Sequence, residues 1–194
     1  MTTAVVMSPQ MKIFVIVLGA LAVVVMVVVR VLRGRLPVEA SGQTKTPVPA
    51  RKLSEVVAFT IDLDIDEKPA LFILLGEDGS INRMGSGTAE DAERELFIGK
   101  TDPAIFRSVR SHLTKEMLRS LGQGYDMPTP RGASCKLVII FKFKDGSSNG
   151  MGFLYGSESN GPPQDVAEFV TTAVAQTDPW YEEFRRNALR RGQG

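Results

Sequence analysis

The hydropathy pattern opens on an unbroken apolar run. From Ile13 to Val29 the chain reads IFVIVLGALAVVVMVVV, 17 residues without an ionisable side chain. Met11 precedes it and Val31-Leu32 follow Arg30. The run therefore approaches the roughly 20 residues that a helix, rising about 1.5 Å per residue, needs to cross about 30 Å of hydrocarbon. The pattern predicts one transmembrane helix over 11–33, behind a short tail at 1–10. Lys12, Arg30, Arg33 and Arg35 flank it, and long cationic side chains reach the headgroups from such positions. The many valines are compatible with a helix here, because a lone segment in lipid must satisfy its own backbone groups. A cleaved signal peptide is the competing reading. Its apolar core would span about 7–15 residues and end at a small-x-small site. Here the run is longer, and Val38-Glu39-Ala40 lies beyond the basic cluster.

Residues 34–54 lose all periodicity. LPVEASGQTKTPVPARKL mixes proline, glycine, serine and threonine, which predicts a linker. An α+β domain is expected over 55–191, followed by a short tail at 192–194. Its first strand is written in alternation: Ile61, Leu63 and Ile65 face one way, Asp62, Asp64 and Asp66 the other. The apolar stretch Ala70 to Leu75 leads through Asp78-Gly79 into Ser80 to Met84. Cys135 to Phe143 leads through Asp145-Gly146 into Ser148 to Tyr155. Each Asp-Gly predicts a hairpin, on the expectation that both central residues of a type I′ turn take positive φ. Leu137, Ile139, Phe141 and Phe143 share one face of the second hairpin. Val138 and Ile140 make its other face partly apolar as well.

Thr101-Asp102-Pro103 predicts a helix start, with a capping side chain and a proline where no N–H is needed. Ile105, Phe106, Val109, Leu113 and Met117 recur at helical spacing, and Gly122 and Gly124 end that helix. Tyr125 to Ala133 reads as a loop. Gly161-Pro162-Pro163 introduces another helix, with Val166, Phe169, Val170, Ala173 and Val174 as its buried stripe. Thr177-Asp178-Pro179 is expected to start a last helix through Trp180, Tyr181 and Phe184. The expected fold is thus an antiparallel sheet built from the two Asp-Gly hairpins, with about three helices against it. The repeated hairpin and Thr-Asp-Pro order leaves an internal duplication open.

Charge changes this picture in one respect. Four of the 23 basic residues and none of the 22 acidic ones precede Leu36, leaving 19 against 22 and a net charge of −3 for the remainder. That balance argues against nucleic acid as a partner. The basic residues bordering the apolar run lie mainly on its C-terminal side, so the positive-inside bias places the domain in the cytoplasm. A short N-terminal tail before a large domain also permits the exported orientation. One cysteine, Cys135, excludes an intramolecular disulfide.

Candidate chemistry is sparse. Asp62, Asp64 and Asp66 offer oxygen ligands to a hard cation, yet alternate strand residues lie about 6–7 Å apart and cannot all reach one ion. They read better as a charged strand face. His112 and Cys135 would form a nucleophilic dyad only if the fold brought them together. Neither sits in a catalytic signature, and both read as residues at the border of the core. Gly85-Ser86-Gly87 lacks the lysine and the register of a phosphate loop and reads as a turn. Gly150, Gly152 and Gly156 in one strand suggest a close approach, and so a candidate ligand groove. Arg185, Arg186, Arg190 and Arg191 form a basic terminus that could touch anionic lipid. No cofactor is expected. The leading expectation is a single-pass membrane protein with a tethered, non-catalytic accessory or interaction domain, its partners being the bilayer and another membrane protein. The alternatives are a small-molecule-binding or enzymatic domain at Gly150–Gly156, or a lipid-contacting one.

Overall fold

The computed structural model describes residues 51–91, 95–127 and 129–192. The helix expected over 11–33, most of the linker, and Lys12, Arg30, Arg33 and Arg35 lie outside the described residues. Among the described residues no helix is long and apolar enough to cross a membrane. The chain runs β1 (Val56–Ile65), β2 (Lys68–Gly76), β3 (Ser80–Met84), β4 (Phe97–Lys100), α1 (Pro103–Arg110), α2 (Lys115–Arg119), β5 (Gly124–Asp126), β6 (Ser134–Phe143), β7 (Ser148–Gly156) and α3 (Gln164–Gly192). The fold is α+β. Its strands form a single seven-stranded sheet in the order β4-β3-β2-β1-β6-β7-β5. Every pairing is antiparallel except β5 with β7, which makes the sheet mixed.

The strand alternation is as expected in the centre. Phe59, Ile61 and Leu63 of β1, Leu71, Ile73 and Leu75 of β2, and Leu137, Ile139, Phe141 and Phe143 of β6 point to one side and are buried there. The helices close that side. Phe106 and Val109 of α1, Met117 and Leu118 of α2, and Val166, Phe169 and Ala173 of α3 complete one core with them.

The turns depart from expectation. Neither Asp78 nor Asp145 has positive φ; only Gly79 (φ 77°) and Gly146 (φ 81°) do. The aspartates act through their side chains instead. Asp78 Oδ1 accepts from the Ser80 N–H at 3.0 Å, and Asp145 Oδ1 from the Ser147 N–H at 3.0 Å. These are Asx turns with a left-handed glycine behind them. Lys100 beside Asp78 and the Ser147 and Arg51 contacts of Asp145 hold both carboxyls well below the usual carboxylate range. The two-residue turn with both φ positive is elsewhere, at Asp66 (48°) and Glu67 (66°) between β1 and β2.

Two helix expectations are corrected. The stripe from Ile105 to Met117 is two helices, not one. Asp102 caps α1 by accepting from the Ala104 N–H at 2.7 Å, as expected, but α1 stops at Arg110. Thr114 then caps α2, accepting from the Met117 N–H at 3.0 Å and donating to Asp165 Oδ2 at 2.7 Å. A residue that serves both a cap and a tie to α3 outweighs helix continuity. Conversely, Thr177-Asp178-Pro179 starts nothing. α3 continues through Pro179 for 29 residues, so the second half of the duplication pattern does not form the same element. The expected loop after Gly122 also contains a strand, β5, and β4 is a strand the pattern did not mark.

Pro179 has no N–H for the Ala175 carbonyl, which normally costs a helix interior about 3 kcal/mol. The helix persists because Thr177, Trp180 and Tyr181 are all buried around that turn. Pro179→Ala is therefore expected to raise stability by about 1–2 kcal/mol, read as a higher urea midpoint. An unchanged or lower midpoint would show that the proline suits the local bend.

Candidate interaction face

Two charged residues are buried among the described ones, Asp62 at 5% exposure and Arg83, near the end of β3, with no exposed surface. The Arg83 Nε donates to Thr177 Oγ1 at 3.1 Å, and its Nη2 to Asp178 Oδ1 at 2.8 Å. Nη1 donates to the Met84 carbonyl at 3.1 Å and to the Gly85 carbonyl. The guanidinium lies over the Tyr181 ring, 5.0 Å from its centroid, and Tyr181 Oη accepts from the Gly85 N–H at 3.1 Å. Gly85-Ser86-Gly87 is thus the loop that this arginine and tyrosine fix to α3. It is a turn, with positive φ at Gly85 and Gly87. These bonds tie β3, the Gly85 loop and α3 to one another, which makes the knot structural.

The residues singled out in the sequence do not converge. Asp66 occupies the β1–β2 turn, where its Oδ1 accepts from the Ser134 N–H at 2.8 Å. Asp62 and Asp64 lie on β1, on the sheet face away from the helices. Among the described residues no three His, Cys, Asp or Glu side chains are placed to hold a metal ion. His112 is exposed just after α1, whereas Cys135 is buried in β6 between Ile65 and Tyr155. Burial, with the Asp66 charge nearby, pushes the Cys135 thiol up. That is the reverse of an activated nucleophile. Burial, with Cys135 beside it, likewise pushes the Tyr155 phenol up to about 12. In the basic terminus, Arg185 pairs with Glu182 at 3.1 Å and Arg186 donates to the Glu182 carbonyl at 3.3 Å. Arg190 is exposed.

The three glycines of β7 have different surroundings. A Cβ at Gly156 would run into the backbone of Arg131, and one at Gly150 would sit 2.5 Å from the Ile139 carbonyl. At Gly152 it would meet nothing nearer than the Leu137 carbonyl at 4.0 Å. Gly124 of β5, paired with Gly152, has nothing within 4 Å. The fold therefore requires glycine at 150 and 156 but not at 152 or 124.

These positions belong to a larger surface. On the face turned from the helices, the register sets Leu74, Thr60, Ile140 and Gly150 in one row across β2, β1, β6 and β7. The next row reads Met84, Phe72, Asp62, Val138, Gly152 and Gly124 across β3, β2, β1, β6, β7 and β5. A third brings Asp64, Lys136 and Leu154 together. No described helix packs here: the helices join the core on the other side. Val138 is 8% exposed yet stands apart from that core, beside Asp62 at 5%. The face is apolar at Met84, Phe72, Leu74, Ile140, Val138 and Leu154, with carboxylates and a lysine in its middle. Part of this was visible in the sequence, because Ala70 to Leu75 and Val138/Ile140 are apolar on both strand faces. The registered rows were not, since they depend on which strands become neighbours.

Compared with known proteins, the chain matches no family model, no curated protein and no solved structure.

Proposed function

We propose that the chain is a membrane-tethered, non-catalytic interaction domain whose recognition surface is the sheet face opposite the helices. The apolar run over 11–33 supplies the tether, and the basic residues after it favour the cytoplasmic side. The observation that carries the reading is the row from Met84 to Gly124. Soluble antiparallel sheets with one packed face ordinarily alternate apolar-in with polar-out. Here the outward positions Phe72, Leu74, Val138 and Ile140 are apolar, and Val138 and Asp62 are buried although no described helix covers them, which supports reading this face as a contact surface rather than one left to water. The titratable residues do not assemble around a common point, so nothing in their placement favours a reaction.

Photo-crosslinking tests this in native membranes. A photoactivatable residue at position 140 is expected to give an intermolecular protein adduct, whereas one at Lys115, on the exposed side of α2, is not. The reading is overturned if position 140 yields no protein adduct while a metabolite or metal shifts the thermal midpoint of the same protein.

A further inference from the structure

The geometry points to β4 as an edge through which two copies of this chain join, their β4 strands paired antiparallel about a two-fold axis at Ile98. This surface is distinct from the sheet face read above and stands or falls without it. β4 is one outer strand of the sheet. Its pairing with β3 fixes which way each backbone group points. Thr101, one residue beyond β4, donates its N–H to the Gly79 carbonyl at 2.8 Å. Bonding partners alternate along an antiparallel strand. Thr101, Gly99 and Phe97 therefore bond to the β3 side, while Ile98 and Lys100 turn their backbone groups out of the sheet. Trp180 of α3 shows the same direction, because its Nε1 donates to the Lys100 carbonyl at 2.9 Å. Among the described residues nothing similar covers the N–H and carbonyl of Ile98.

Outer strands are commonly guarded by charge or proline. β5, at the other edge, carries Asp126 and is soon followed by Pro130. β4 lacks that guard at its open position. Its lysine, Lys100, is drawn back to Asp78 at 2.6 Å. Ile98 is 42% exposed and Phe184 37% exposed, and the two flank one strand on opposite sides. Ile98 shares a row with Asn82 and Leu74, away from the helices. Phe184 stands on the helix side, 3.4 Å from where a Cβ on Gly99 would lie, and stacks on Trp180. A strand laid along β4 covers both at once. The strand that fits is another β4. The two-fold sets Ile98 opposite Ile98 of the partner subunit, each N–H meeting the other carbonyl. It also sets Phe97 opposite Gly99 of the partner subunit, and the reverse. Each ring thus faces a strand position with no side chain of its own and packs beside the Trp180 and Phe184 rings that cover it. An isologous contact repeats every such match twice. The two sheets continue as one, with both helix layers on the same side.

The experiment uses the full chain in detergent micelles, its mass followed by sedimentation equilibrium over a range of protein concentrations. The parent is expected to approach the mass of two chains. Ile98→Lys sets like charges directly opposite one another and is expected to need at least tenfold more protein to dimerise. Its urea midpoint, read by Trp180 fluorescence, is expected to stay near that of the parent, because the side chain already meets solvent. Ile98→Pro is the second variant. The N–H it removes faces outward, where an edge strand admits proline, so the bond between copies is lost and the ladder to β3 is spared. It is expected to act in the same direction; should it unfold, Ile98→Lys decides. A single-chain mass for the parent at every concentration overturns the inference. So does a folded Ile98→Lys that dimerises at the parent's concentration, which would place the contact elsewhere in the chain. Crosslinking from position 140 reads a different surface, so loss of the dimer and loss of that adduct are separate results.

Discussion

Arg83→Met is expected to lower the stability of the domain by about 2–4 kcal/mol. Methionine keeps much of the length and the apolar body of the side chain, so the loss comes mainly from polar groups. The Met84 and Gly85 carbonyls lose their donor, and the Tyr181 ring loses the cation over it. Asp178 is 46% exposed and returns to water at little cost. Its own replacement, Asp178→Asn, is therefore expected to cost less, about 1 kcal/mol. The asymmetry is the test. Removing the fully buried partner should hurt more than removing the half-exposed one, although both delete the same ion pair. Trp180 is the only tryptophan, stands next to Tyr181 and is 9% exposed, so its fluorescence reports urea unfolding of the full chain in detergent directly. Equal costs for the two variants, or a loss below about 1 kcal/mol for Arg83→Met, would sink this account of the knot.

The same residues show why some of the fold was legible in the sequence and some was not. The core strands were, because period-two alternation in β1 and β6 depends only on which face is buried. The cap at Asp102 was legible for the same local reason. The Thr177-Asp178-Pro179 reading failed because the identical tripeptide has two uses. At 101–103 its aspartate caps a free helix end. At 177–179 its threonine and aspartate receive Arg83, which is 94 residues away from Thr177. One signal did exist: Val166, Phe169, Ala173, Thr177, Trp180 and Tyr181 keep a continuous helical stripe in phase across the proline. The split between α1 and α2 had a weaker local sign in Thr114, whose tie to Asp165 is again long-range. The candidate face was the least legible part. The apolar character of Phe72, Leu74, Val138 and Ile140 is written in the chain, but the row that joins Met84 to Gly124 exists only once six strands are in register. Gly152 likewise looked like its neighbours Gly150 and Gly156 until the space around each was known.

Phe169→Ala is expected to cost about 3–5 kcal/mol, the range for removing a buried aromatic ring. Phe169 is fully buried. Its ring meets Phe59 of β1 edge-on at 5.1 Å between centroids and Phe141 of β6 at 5.8 Å, while Phe59 stacks on Phe106 of α1 at 5.9 Å. The ring is therefore where α3 grips the two central strands, and truncation leaves a cavity bounded by side chains already held in other contacts. Since small domains have a total stability of about 5–15 kcal/mol, this one change would bring the protein close to its unfolding threshold. Phe184→Ala gives the comparison. Phe184 also stacks, on Trp180 at 4.2 Å, but is 37% exposed, and its loss should cost about 1 kcal/mol. The urea midpoints of the two variants, read by Trp180 fluorescence in the full chain in detergent, check both costs, and a Phe169→Ala loss no larger than that of Phe184→Ala would overturn the ring as the point where α3 holds the sheet.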